Sequence, residues 1–173
     1  MKKKLLITAA LLAIFTLFNL KANAQAVSSN INLTLILSDA YSIVLGPTPD
    51  VTFTYATAAD YAAAKTQTKT GQFTVISNKP YSVAVKANAA FNTISTTTPP
   101  LSAVHVNVDP STVTGAAYTN VALSIANQTI ASAASATIGT AYNIVYSIPT
   151  AAPLLAMSAG TYTTTMVYTV TQP

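Results

Sequence analysis

Ala159-Gly-Thr-Tyr-Thr-Thr-Thr-Met-Val-Tyr-Thr-Val-Thr-Gln-Pro173 reads as a turn followed by one alternating strand. Side chains in a strand repeat every two residues, so Tyr162, Thr164, Met166, Tyr168 and Val170 share one face. Thr163, Thr165, Val167, Thr169 and Thr171 share the other. The first face is suited to packing and the second mostly to water. Gly160 supplies a backbone angle closed to other residues, and Pro173, lacking an N–H, cannot extend a central ladder. Burial of Tyr162, Met166 and Val170 contributes roughly 1.5–3 kcal/mol each, enough to set the register against a one-residue slip. The strand is expected to be part of the fold rather than a tail.

The same period of two recurs upstream. Ile31, Leu33, Leu35 and Leu37 share a face of an opening segment, with Ile36 breaking the alternation. Asp39 to Val44 continues that strand or forms a short partner before Gly46-Pro-Thr-Pro49 breaks the pattern. Val51, Phe53 and Tyr55 alternate with threonines as a further strand. Ala58 to Lys65 has the propensity for a helical turn or two but no broad apolar stripe. Gln72 to Ser77 is a strand, Asn78-Lys-Pro80 a turn, and Tyr81, Val83 and Val85 the face of its expected hairpin partner. Asn92 to Pro100 reads as a loop. Val104, Val106 and Val108 mark the next strand, and Val121, Leu123 and Ile125 another. An Ala/Ser-rich bridge then leads to Tyr142, Ile144, Tyr146 and Ile148. Seven to nine short strands separated by turn signals predict an all-β, immunoglobulin-like β-sandwich, with a closed barrel as the architectural rival.

The N-terminus reads as an export signal. Lys2, Lys3 and Lys4 precede an apolar run from Leu5 to Leu20, and Ala22-Asn-Ala24 offers a small-residue cleavage pattern, with Ala24-Gln-Ala26 as a second frame. This divides the chain into a signal segment, 1–24, and a single β-sandwich domain, 25–173. The apolar run falls short of the usual spanning length, so no stable transmembrane anchor is expected after cleavage. The expected location is extracellular, at the cell surface or periplasmic.

Removal of the signal changes the charge balance. Lys65, Lys69, Lys79 and Lys86 then face Asp39, Asp50, Asp60 and Asp109, with no arginine and no glutamate. Nucleic-acid binding loses its basis, because phosphate recognition rests on clustered Lys and Arg. Charged residues make up only 7% of the chain, so its wet surface must be built from Thr, Ser, Asn and Ala. Threonine suits a pleated backbone while its hydroxyl meets water. Such neutral strands leave edges poorly defended against another strand, and self-association is open to them. Cysteine is absent, so neither disulfides nor thiolate metal sites hold the fold.

Catalytic patterns are missing from the sequence. His105 is the only histidine and stands between valines, as the outward member of a strand. The aspartates occur singly, and Asp109-Pro-Ser111 has turn chemistry. Asp39, Asp50 and Asp60 suggest no calcium spacing. No GxSxG elbow, HExxH or Gly-rich phosphate loop is present. The chain is read as a non-enzyme without cofactor or metal. Tyr41, Tyr61, Tyr118 and Tyr142 are the candidates for an interaction surface, offering flat apolar faces with hydroxyls at their rims.

The closing Gly160-Thr-Tyr162 strand, with Gly71-Gln-Phe-Thr-Val-Ile-Ser-Asn-Lys-Pro-Tyr-Ser-Val-Ala-Val85, resembles bacterial WxL-type and fimbria-like secreted surface domains. Tyr168 and Val170 stand where that family places Trp and Leu, so the motif itself is absent. Gly160 and Tyr162 match the entrance to the family strand. The resemblance implies a structural or adhesive role at the bacterial surface, with a cell-surface protein or polysaccharide as partner. The alternative is a peptidoglycan- or carbohydrate-binding module. In pilus subunits of this kind an apolar N-terminal extension enters a neighbour's sheet. Ile31 to Leu37 is read here as the protein's own first strand instead.

Overall fold

The computed structural model describes residues 30–112 and 115–173. The signal segment expected over 1–24 lies outside the described residues. The chain divides into two units, Met1–Leu37 and Ser38–Pro173. In the first, the described residues form no strand, and Ile31, Leu33, Leu35 and Leu37 are all exposed. The opening strand expected over Ile31–Leu37 is therefore corrected: its alternation suits a strand, but it joins no ladder.

In the second unit the elements run β1 (Tyr41–Leu45), α1 (Ala58–Ala62), β2 (Lys65–Ser77), β3 (Tyr81–Ala87), β4 (His105–Val108), β5 (Ala117–Tyr118), β6 (Val121–Ala122), β7 (Gln128–Ala134), β8 (Thr137–Ile148) and β9 (Met166–Thr171). They form two antiparallel sheets, of order β1-β2-β8-β4-β6 and β5-β7-β3-β9. This is an all-β sandwich. The order β1-β2-β8-β4 facing β3-β9 follows strands A-B-E-D and C-F of an immunoglobulin-like sandwich, a plan in which a further strand lies beyond F.

Alternation fixes which side of each strand is buried. Phe73 and Val75 of β2, Tyr142, Ile144 and Tyr146 of β8, and Val106 and Val108 of β4 point inward from the first sheet. Tyr81, Val83 and Val85 of β3, Ile130 of β7, and Tyr168 and Val170 of β9 meet them from the second. Between Lys69↔Ile144 and Phe73↔Tyr142, four steps of β2 stand against two of β8. Gly71, at φ +61°, takes the left-handed angle this bulge needs, and its N–H donates to Asn143 Oδ1 at 2.8 Å. An even insertion keeps Phe73 on the same face as Lys69, so the core survives the bulge.

Several local expectations are corrected. β2 and β3 are not a hairpin: they lie in different sheets, and Asn78-Lys-Pro80 arches between them. Ser77 Oγ donates to Lys79 O at 2.7 Å inside the arch, and Pro80 has no N–H with which to begin a ladder. Crossing lets both apolar faces meet across the core. Val51, Phe53 and Tyr55 are half-buried but form no strand, because β2 reaches this stretch with side chains: Lys65 Nζ donates to Thr54 O at 2.6 Å, Gln72 Nε2 to Pro49 O at 2.9 Å, and Gln67 Nε2 to Thr52 O. The Ala/Ser bridge contains β7, whose small residues hid it and whose bulge at Ala133, φ 55°, breaks the alternation. Ile125 is exposed, since β6 stops at Ala122. The ladder of the last strand begins at Met166 rather than Tyr162.

Phe73 joins the halves of the core, its ring centroid 4.9 Å from Tyr142 and 4.7 Å from Tyr168. Phe73→Ala is expected to cost about 3–5 kcal/mol in urea unfolding. Ile138→Ala, at a residue 98% exposed, is expected to stay within about 0.5 kcal/mol of the parent.

Candidate functional site

Tyr142 leaves the candidate contact surface, because it is buried on the inward face of β8. Its hydroxyl donates to Tyr81 at 2.9 Å, joining the first sheet to the second. Its face was already given by its alternation with Ile144 and Tyr146. A second pair, Tyr146 and Tyr168, shares a hydroxyl hydrogen bond of 2.5 Å, again between the sheets. Burial raises all four ionisations, that of Tyr146 up to about 12 and that of Tyr168 well above the ordinary 10.0. The family-motif position Tyr168 is thus a core residue, as is Val170.

Gly160 and Tyr162 form a local clasp. The Tyr162 hydroxyl donates to Ser158 O at 2.9 Å and meets Thr97 Oγ1 at 2.8 Å. Gly160 sits at φ +155°, and a Cβ there would lie 2.5 Å from Ile94 Cδ1. These residues pin the chain as it enters β9 against the 92–100 loop, where Asn92 Nδ2 also donates to Thr161 O at 3.2 Å.

Three of the four aspartates make local turns, caps or ion pairs. Asp60 closes a capping box with Thr57 and pairs with Lys65 Nζ at 2.7 Å. The lysine first, and then the backbone N–H donors of Thr57 and Ala56, hold its carboxyl well below the usual carboxylate range. Asp109 accepts from Ser111 N and Oγ, which lower its ionisation too. Asp39 pairs with Lys79 at 2.6 Å. Among the described residues no three His, Cys, Asp or Glu gather as a metal site. His105 is half-buried on β4, opposite Ser147 of β8 and Ala122 of β6, with Nδ1 enclosed and unpartnered.

The remaining candidate tyrosines do not share a surface. Tyr61 is exposed on α1, its ring 5.0 Å from Tyr55, over which Lys65 Nζ sits at 4.9 Å. Tyr118 is half-buried on β5, beside Ala131 of β7, and burial raises its ionisation. Tyr41 opens β1, at the other side of the sandwich.

Tyr41 belongs to a feature the sequence reading missed. Tyr41, Ile43 and Leu45 pair with Ser77, Val75 and Phe73, so they share the inward face of the first sheet. One strand further in, the partners are 0% exposed, yet Tyr41 is 57% and Leu45 58% exposed. The opposing sheet explains the contrast: it ends at β9, which is bonded to β3, and among the described residues no strand lies beyond it. An inward-facing apolar strip therefore lies open beside an unpaired strand edge. Gln172 closes one end of this flank, its Nε2 donating to Ser77 Oγ at 2.8 Å and to Ala40 O at 3.3 Å. No amphipathic pattern within β1 signals the opening, because the missing cover belongs to the other sheet.

Compared with protein-family models and with curated proteins, the sequence matches none.

The four buried tyrosines hold their protons more tightly folded than unfolded, so their stability is complete below pH 10 and is lost as pH climbs towards 12. Absorbance at 295 nm should show them ionising together with loss of β-sheet circular dichroism rather than in a separate earlier step. Gly160→Ala is expected to lower stability by about 1–3 kcal/mol, measured by thermal melting, because alanine rarely adopts this angle and its Cβ meets Ile94.

Proposed function

We propose that this protein is an exported, non-enzymatic structural or adhesion module of the bacterial surface, acting by non-covalent contact. The observation that carries the reading is the open flank: an apolar strip, Tyr41 and Leu45, uncovered beside the free edge of β9. Exposed apolar strips next to unpaired ladder groups favour another polypeptide, which supplies both side chains and backbone partners. Low charge works in the same direction, since few like charges oppose close approach. The export signal read in residues 1–24 supports a location outside the cytoplasm.

A second reading, a peptidoglycan- or carbohydrate-binding module, draws on one specific arrangement. The exposed Tyr61 ring rests beside Tyr55, next to the polar hollow formed by Thr52, Thr54, Lys65 and Gln67. Aromatic faces beside polar groups suit sugar rings. Pull-down on purified cell wall separates the two readings: retention lost in Tyr61→Ala supports the carbohydrate module.

For the leading reading, light scattering on the chain lacking residues 1–24 should show mass rising with concentration. Tyr41→Ser with Leu45→Ser should weaken that association by about tenfold or more while leaving the melting temperature nearly unchanged, since both side chains are already more than half exposed. A mass that stays monomeric at every concentration, without retention on cell wall or cells, overturns it.

A further inference from the structure

We infer that two copies of the chain join through β1, edge to edge and antiparallel, about a two-fold axis at Ile43. This pairing rests on the reading of the flank as a contact surface and names its occupant, the β1 of a second copy.

Hydrogen-bond phase along β1 identifies the groups on offer. Asn78 N donates to Ala40 O at 3.1 Å and Gly46 N to Gln72 O at 2.9 Å, so Ala40, Ser42, Val44 and Gly46 turn their backbone groups toward β2. The alternation of an antiparallel ladder then turns the N–H and C=O groups of Tyr41, Ile43 and Leu45 the other way, where the first sheet ends. Those are also the residues of the uncovered strip. One strand thus presents apolar side chains and unpaired backbone groups together. It carries no charge, proline or bulge of the kind that blunts an edge, whereas β5 and β6, at the other ends of the two sheets, are blunted by their length of two residues.

Self-complementarity selects a second β1 as the partner. With Ile43 of the two copies opposite one another, Tyr41 of each stands opposite Leu45 of the other, and every outward N–H of Tyr41, Ile43 and Leu45 meets an outward C=O. The two strips become one apolar cluster across the junction, and no like charges are opposed along it. Register is fixed from both ends. Moving the axis to Tyr41 sets Asp39, which shares the strip's alternation, beside Ile43 of the second copy, a poor site for a carboxylate. Moving it to Leu45 sets Pro47, which has no N–H, opposite the same residue. A two-fold contact uses the same patch on both copies, so assembly closes at two. Five residues a side fall short of the roughly 20–30 of a stable interface, so the dimer exchanges with monomer and fills as concentration rises.

The absence of cysteine allows a clean test. In this register Ser42 faces Val44 of the second copy in a non-hydrogen-bonded pair, about 4.5 Å between Cα atoms, while Ser42 of the two copies lie on a diagonal of about 7–8 Å. A disulfide spans the first separation and not the second. Both residues are exposed and alternate with the strip, so cysteines there leave the core intact. Chains lacking residues 1–24 and carrying Ser42→Cys or Val44→Cys are mildly oxidised, each alone and then mixed. The expected result is a linked dimer from the mixture in about tenfold or greater excess over either variant alone. In the cysteine-free chain, mass by light scattering should level off at twice the monomer. Tyr41→Pro removes a donor that faces away from β2, and should weaken association by about tenfold or more while thermal melting shows the fold retained. Linkage as strong in either variant alone, or a mass that climbs past two copies, overturns the two-fold register. Association undiminished by Tyr41→Pro, with no linkage in the mixture, overturns β1 as the partner and leaves the contact reading intact. A chain that stays monomeric at every concentration overturns the dimer, and retention on cells then decides the contact reading separately.

Discussion

Two hydroxyl pairs, Tyr81 with Tyr142 and Tyr146 with Tyr168, hold one sheet against the other, and the rest of the sandwich is arranged around them. A buried hydroxyl without a partner costs about 1–3 kcal/mol, so each tyrosine is tolerated in the core only while its counterpart stands opposite. Sliding one sheet by a single residue would separate both pairs at once. Phe73, stacked between Tyr142 and Tyr168, fills the space between the pairs. In a chain without cysteine, these contacts specify the alignment that inter-sheet disulfides provide in other sandwiches.

That alignment also determines where the sandwich is incomplete. Tyr168 places β9 over Phe73 of β2 and Tyr146 of β8, which leaves β1 extending past the last strand of the opposing sheet. The uncovered face of β1 and the unpaired edge of β9 are thus one consequence of the core packing. The proposed contact role rests on the same geometry, an open edge over an apolar strip in a surface poor in charge.

Sequence periodicity carried most of the strand faces. Tyr142, Ile144 and Tyr146, or Tyr81, Val83 and Val85, could be assigned to one side without coordinates because only alternation was needed. It failed where side chains were small or where pairing, not pattern, was at issue. β7 is built from Ala, Ser and Thr around Ile130, too little bulk to mark a face, and Ala133 breaks its phase. The arch at Asn78-Lys-Pro80 resembles a hairpin turn locally, yet its strands separate into two sheets because each has an apolar face to bury against the other. Tyr142 was misplaced as a surface residue because a tyrosine carries both an apolar ring and a polar tip, and only a partner hydroxyl makes its burial tolerable. Asp109 bonds to Ser111 as its turn chemistry suggested, whereas the cap that Asp60 forms with Thr57 was not read from the sequence, although it too is a local contact.

By itself the sequence determined the class of fold, the inner and outer faces of its main strands, the low charge and the absence of disulfide support, because each depends on residues near one another along the chain. Tertiary structure alone decided that Ile31–Leu37 joins no ladder, that β2 and β3 belong to opposite sheets, and that β1 lies uncovered beside β9. Those facts depend on which distant strand lies alongside which, and strand pairing is settled by the packing of the whole core rather than by any local pattern.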